Sequence, residues 1–301
     1  MDNMRGIALM VAAMALFAVE DMFLKLSAET MPIGQILAAG GLFGAICFGA
    51  VARMRGEPLF ARGVWTGAVG WRNLGEMVAS GFYVTALALL PLSTVSAILQ
   101  AQPLAITCCA ALFLGEQVGW RRWTAIGVGF VGILFVVQPG REFEVHSLLA
   151  VAAVAGLTLR DLATRGVPRR IGSSAIGFSA MTMMLLLGAA MMAVQGTAPL
   201  DRPSALVLLG ALVAGTAGYA LIVAATRVGE VSVVTPFRYA RLVFVLVLAL
   251  IVFGEVPAPA VIFGATLVIA SGLYTLARER RRRGRADPSR IAHFSRIPTN
   301  D

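Results

Sequence analysis

Apolar residues run along this chain in ten blocks separated by short polar stretches, near residues 5–28, 33–52, 64–90, 93–114, 120–138, 146–164, 172–195, 204–226, 231–252 and 258–277. A helix crosses the hydrocarbon core of a bilayer with about 20 apolar residues, and only helices or closed barrels satisfy their backbone there. The pattern predicts an all-α integral membrane protein of ten transmembrane helices. The first block stands where a signal peptide would, but Glu20 and Asp21 interrupt it and no small-x-small cleavage site follows, so it reads as the first span.

Composition agrees: 58% of residues are hydrophobic and 14% charged, with a mean hydropathy of +0.82. Ten spans and short connections leave almost nothing for a soluble domain. The motif G-x-x-x-x-G-K-[ST] does not occur, and Lys25 is the single lysine, which argues against a nucleotide-driven machine. Cys47, Cys108 and Cys109 lie in apolar runs and suit neither a disulfide framework nor a metal site; His146 and His293 are remote from acidic clusters. No metal, cofactor or enzymatic chemistry is implied.

The net charge of +9 follows topology rather than nucleic-acid binding. Alternate connections and the tail hold Arg5; Arg53, Arg55 and Arg62; Arg121 and Arg122; Arg165, Arg169 and Arg170; Arg227; and the arginines from Arg278 to Arg296. Lys25, Arg141 and Arg202 are the basic residues of the opposite set. Positive charge stays on the cytoplasmic side, so both termini are expected there, as an even number of spans requires.

An internal repeat organises the chain. Val11-Ala12-Ala13, Ala15, Asp21 and Lys25 recur 140 residues later as Val151-Ala152-Ala153, Ala155, Asp161 and Arg165. Ala86, Ser93, Ala101, Ala110, Gly115 and Glu116 recur 139 residues later as Ala225, Ser232, Ala240, Ala249, Gly254 and Glu255. The expected organisation is two five-helix repeats, residues 1–140 and 141–277, followed by a basic cytoplasmic tail, 278–301. An odd number of spans per repeat inverts the second copy, an arrangement that recurs in transporters working by alternating access, with the site near midplane at the repeat interface.

Leu112-Phe113-Leu114-Gly115-Glu116 and Ile251-Val252-Phe253-Gly254-Glu255 resemble the signature that ends the fourth and ninth helices of the drug/metabolite transporter superfamily, EamA type. The resemblance extends over residues 4 to about 277. It implies a polar cavity walled by spans one, three, four, six, eight and nine, with five and ten peripheral, and a multi-pass protein of the bacterial inner membrane that exports amino acids or related metabolites. A homodimer is allowed, but a monomer suffices for transport.

Ionisable residues inside spans are expensive and mark function by default. They are Glu20, Asp21, Arg72, Glu76, Arg160, Asp161, Arg238 and Arg241. Arg72 and Glu76 are spaced for an intrahelical pair, and Tyr83 continues their stripe. Asp21 and Lys25 have the same spacing, so a closed pair competes with an outer gate or proton-binding role. Arg160 and Asp161 read equally as boundary residues or as part of a site. Arg238 and Arg241 repel each other in a dry bundle, so water, an acid or an anionic substrate must meet at least one. Gln100 and Gln102 precede Pro103 as Tyr239 precedes Arg241 after Pro236, and proline permits a bend and frees a carbonyl. Glu20, Asp21, Arg72, Glu76, Tyr83, Gln100, Gln102, Tyr219, Arg238, Tyr239 and Arg241 are therefore the candidate substrate-binding residues, with Arg238 or Arg241 on the anionic end.

Gly40 and Gly44, with Gly127, Gly129 and Gly132, are expected to allow close helix approach, within one subunit or across a dimer. Met181, Met183, Met184, Met191 and Met192 read as adaptable packing or lipid surface. Gly115-Glu116 and Gly254-Glu255 read as solvated turns at outer helix ends. The leading function is export of small polar or zwitterionic metabolites. An importer of a cationic nucleoside-like metabolite such as S-adenosylmethionine, recognised by Glu20, Asp21 or Glu76, competes with it, and a membrane scaffold or enzyme has the least equipment. Balanced intramembrane charges favour facilitated flux over obligatory proton antiport.

Overall fold

The computed structural model describes residues 2–65, 67–116, 118–138, 145–168 and 170–283, and these contain no strand. The connection 139–144 with Arg141, position 169, and the tail beyond 283 with His293 lie outside the described residues. The elements are α1 (Asn3–Thr30), α2 (Ile33–Met54), the short α3 (Arg62–Trp65), α4 (Ala68–Leu89), α5 (Leu92–Leu99), α6 (Gln102–Phe113) and α7 (Trp120–Val137). They are followed by α8 (Ser147–Arg165), α9 (Ser173–Gln195), α10 (Arg202–Val228), α11 (Val231–Val234), a 3₁₀ turn (Thr235–Tyr239), α12 (Ala240–Phe253) and α13 (Pro259–Arg283).

Among the described residues, nine helical stretches are long and apolar enough to cross a membrane; α5 and α6 count together over Leu92–Phe113, and the 3₁₀ turn with α12 over Thr235–Phe253. The third expected span is helical as α4 but is not one of the nine, because Arg72, Asn73 and Glu76 dilute its apolar run.

Local chemistry sets the ends and the breaks. Asp2 caps α1 by accepting from Arg5 N at 3.1 Å, and Asp201 caps α10 by accepting from Ser204 N at 2.9 Å. Pro32 and Pro91 stand immediately before α2 and α5, where a missing N–H costs nothing. Pro103 and Pro236 act differently. Each removes a donor inside a spanning run, and the helix is interrupted there: α5 gives way to α6 at Gln100 and Ala101, and α11 to α12 through the 3₁₀ turn.

The bundle is apolar outside and polar within. Leu206, Val243 and Ile251 are exposed, whereas Asp21 is wholly buried. That inversion suits a hydrocarbon solvent. The principal helix pairs are α1 with α10, α2 with α9, α4 with α8, and α7 with α13, while α5 packs on α12. Leu90, Leu92, Val95, Val245 and Ala249 form part of the main core at one end of the bundle.

Glycines bring the pairs into backbone contact within one chain. A methyl on Gly156 would lie 2.6 Å from Ala79 N, on Gly75 2.6 Å from Arg160 N, and on Gly132 2.7 Å from Gly264 O. On α2 the expected residues are not the ones used. Gly34 and Gly41 meet the backbone of α9, whereas Gly40 and Gly44 meet the side chains of Met184 and Met181, and Gly127 faces open space. The methionines on α9 are thus in part the packing partners of α2.

Gly156→Ala should destabilise the protein by about 1–3 kcal/mol, because the backbone of α4 cannot yield. Gly127→Ala should leave stability unchanged or raised. Thermal unfolding of the purified protein in detergent checks the contrast; equal effects would contradict it.

Candidate functional site

The break in the chain before α12 sets Arg241 at the start of that helix, facing α1. Its guanidinium donates to Asp21 through Nε at 3.0 Å and through one terminal nitrogen at 2.6 and 2.7 Å. Tyr83 from α4 donates its hydroxyl to the same carboxylate and accepts from Arg241 at 3.1 Å. The guanidinium also lies 5.4 Å from the centre of the Phe17 ring. Asp21 is 0% exposed, so an ionised carboxylate is compatible with this place only because three donors converge on it. Asp21 therefore does not close on Lys25, as the spacing allowed. Arg241 is committed to an acid of the protein itself, which leaves it poorly placed to receive a substrate anion.

A second network joins α4, α8 and α6. Arg72 and Glu76 form the intrahelical pair at 3.2 Å, and Glu76 also reaches Arg160 at 3.5 Å. Arg160 pairs with its neighbour Asp161 at 2.8 Å, whose other oxygen accepts from Gln102 Nε2 at 3.0 Å. Arg160 and Asp161 are thus network members rather than boundary residues. The repeat contains the signal for this: Asp161 corresponds to Asp21 and Gln102 to Arg241, so the bond between helices of the first and second halves occurs twice, once charged on both sides and once with an amide.

The candidate site residues without a charged partner are few. Among the described residues Arg238 forms no hydrogen bond or ion pair; it is exposed, and its nearest acidic influence is Asp161. Glu20 likewise has none, and its carboxylate packs against Gly215 of α10. Gln100 donates to the Tyr239 carbonyl at 3.3 Å, one helix break bonding to the other. The Tyr239 side chain is turned away from this contact: it packs against Gly272 of α13, its hydroxyl buried without a partner. Tyr219 is 51% exposed and stands edge-on to Phe48 with ring centres 5.8 Å apart. An apolar cavity of about 340 Å³, lined by Ala101, Ala105, Cys109, Ile133, Val154 and Leu162 among others, lies beside the polar network. Among the described residues no three His, Cys, Asp or Glu side chains converge as metal ligands.

The two Gly-Glu turns differ from the expected pair of solvated outer turns. They lie at opposite ends of the bundle, because α5 and α6 run from Glu255 at one end to Glu116 at the other. Glu255 pairs with Lys25 at 3.3 Å, side chains 16% and 14% exposed, and accepts from Leu92 N at 3.1 Å. Glu116 pairs with Arg165, both 46% exposed.

The model of the EamA-like transporter family matches residues 4–138 and 146–277. A riboflavin transporter of Rhizobium johnstonii is 28% identical over 70% of this chain and 72% of its own length. An S-adenosylmethionine uptake transporter of Rickettsia bellii is 26% identical over 65% of this chain and 67% of its own. A pseudopaline exporter of Pseudomonas aeruginosa is 23% identical over 88% and 94%. One solved structure shares the fold, with a TM-score of 0.58 and 19% identity over 87% of this chain and 96% of the other. These names describe transporters rather than enzymes, and multi-pass proteins of bacteria.

Glu76 neutralises two arginines, so Glu76→Gln should cost about 3–5 kcal/mol of stability, the range for a buried charge left without its partner. Asp161→Asn leaves Arg160 bound to Glu76 and should cost about 1 kcal/mol. Unfolding midpoints of the two variants check this, and equal losses would contradict the bridging role.

Proposed function

The chain belongs to the EamA-like transporter family, and on that premise we propose that it is a ten-span, inverted-repeat secondary transporter, exporting small zwitterionic metabolites of the amino-acid type across the bacterial inner membrane by alternating access, both termini cytoplasmic. The helix pairing supports the repeat. Exchanging the halves turns the pair α1 and α10 into the pair α8 and α4, and maps α2 with α9 and α7 with α13 onto themselves. Gln100 touches its own equivalent, Tyr239, which places that contact near the pseudo-two-fold axis.

The observation that carries the substrate class is Arg238. Arg72, Arg160 and Arg241 are each bonded to an acid, while Arg238 stands exposed at the broken segment with none among the described residues. An unpaired cation inside a span needs water or an anionic ligand, and a guanidinium offers a carboxylate a fork of parallel donors. Glu20 supplies the opposite charge for an ammonium group. Gln100, Gln102 and Tyr219 contribute neutral polar surface; Asp21, Arg72, Glu76, Tyr83 and Arg241 hold the walls. With Asp21 and Glu76 paired, flux is facilitated by the substrate gradient, and Glu20 is the acid left for any proton coupling.

A second reading is uptake of a cationic nucleoside-like metabolite. It is favoured by the relatives named as S-adenosylmethionine uptake transporters and by the free carboxylate of Glu20. Purified protein in liposomes, tested for uptake and efflux of amino acids, S-adenosylmethionine and riboflavin with and without a pH gradient, separates the two readings. Arg238→Gln should lower carboxylate flux about tenfold or more, since an amide cannot replace a charge-assisted pair. Undiminished flux of every carboxylate through that variant would remove the assignment.

A further inference from the structure

Lys25 and Glu255 do more than neutralise each other. The Lys25 ammonium donates to the carbonyls of Leu90 at 2.5 Å and Leu87 at 3.5 Å and lies 5.3 Å from the centre of the Phe253 ring. Glu255 accepts from the backbone of Leu92 and Ser93 at 3.1 and 3.4 Å, and from the Ser93 hydroxyl at 3.5 Å. One ion pair thereby ties four segments: the late part of α1, the end of α4, the start of α5 and the turn after α12. Beneath it the fully buried Leu92, Val95 and Ala249 exclude water.

The same construction stands at the other end. Arg165 occupies the repeat position of Lys25 at an offset of 140, and Glu116 that of Glu255 at 139. Each glutamate follows a glycine of positive φ, Gly115 at 67° and Gly254 at 63°, and its N–H bonds back to an equivalent alanine carbonyl, Ala110 at 3.2 Å and Ala249 at 3.0 Å. The Arg165–Glu116 pair has no further bonds among the described residues, and both side chains are 46% exposed. Chemistry is conserved between the ends while burial is not. Water screens the exposed pair, whereas the buried pair holds its segments together.

We propose that these two ion pairs are the alternating latches of the transport cycle: Lys25–Glu255 seals the outer end in the state seen here, and Arg165–Glu116 becomes the buried seal when the outer end opens. The proposal rests on the transporter reading above. Separating Lys25 from Glu255 strands two charges in a dry core unless water enters, so release of the latch and hydration of the outer end occur together. The equilibrium between the two states then depends on the difference between the latches, and neutralising one shifts the population toward the state it does not seal.

Ala249 and Ala110, equivalent positions beneath the two latches and both 0% exposed, serve as reporters. In a background with Cys47, Cys108 and Cys109 replaced, Ala249→Cys is labelled with an impermeant thiol reagent in right-side-out vesicles and Ala110→Cys in inside-out vesicles. Lys25→Gln or Glu255→Gln should raise labelling at position 249 about tenfold, given a minor state populated at a few per cent, and lower it at position 110. The exchanged pair Lys25→Glu with Glu255→Lys should restore the original rates. Unchanged rates at position 249 would overturn the proposal, as would a simultaneous rise at both reporters, which indicates general loosening. Labelling needs no substrate, so absent flux in liposomes with opposed reporter shifts counts against the transporter reading alone. Normal flux without opposed shifts counts against the latches alone.

Discussion

The hydrocarbon interior does not tolerate an uncompensated charge, and Asp21 with Arg241 is where this constraint bears hardest. A carboxylate with no exposed surface is held by a guanidinium from a residue 220 positions away and by the Tyr83 hydroxyl. Three helices must therefore keep one relative placement: α1 carrying the acid, α12 the base and α4 the phenol. The interruption at Thr235–Tyr239 is part of the same requirement, since it sets the path by which the chain enters α12. Around this point, the remaining intramembrane charges fall into those the protein neutralises itself, such as Arg72 with Glu76, and the two it does not, Arg238 and Glu20.

Much of the architecture was legible in the chain. Blocks of about twenty apolar residues marked the helices, because backbone hydrogen bonding leaves few alternatives in lipid. Pro103 and Pro236 marked the interruptions, and the spacing of Arg72 and Glu76 marked a pair that the structure contains. The same rule misled at Asp21 and Lys25, whose spacing is identical. Spacing describes what one helix permits, while the choice of partner depends on what neighbouring helices bring: Arg241 to the acid, Glu255 to the lysine. The repeat held the missing information. Asp161 and Gln102 stand to each other as Asp21 and Arg241 do, so the long-range bonds appear as a correlation between the two halves before any coordinates are considered.

The glycines show a different limit. Sequence identified helices that approach closely, but which glycine touches depends on the rotation of each helix about its axis, and the fully apolar α2 offers several faces. Gly34 and Gly41 make the backbone contact while Gly40 and Gly44 accept methionine side chains. Tyr239 is a related case. Its place beside Arg238 suggested a wall of the polar site, but its ring fills the space that Gly272 leaves on α13.

A double-mutant cycle on Asp21 and Arg241, read as unfolding free energy in detergent for Asp21→Asn, Arg241→Gln and the double variant, addresses the buried pair directly. Each single change should be costly because it strands the opposite charge, and the double change should cost less than their sum by about 2 kcal/mol or more. Additive losses would contradict the account, for they would mean that the two residues stabilise the bundle independently and that their meeting does not organise it.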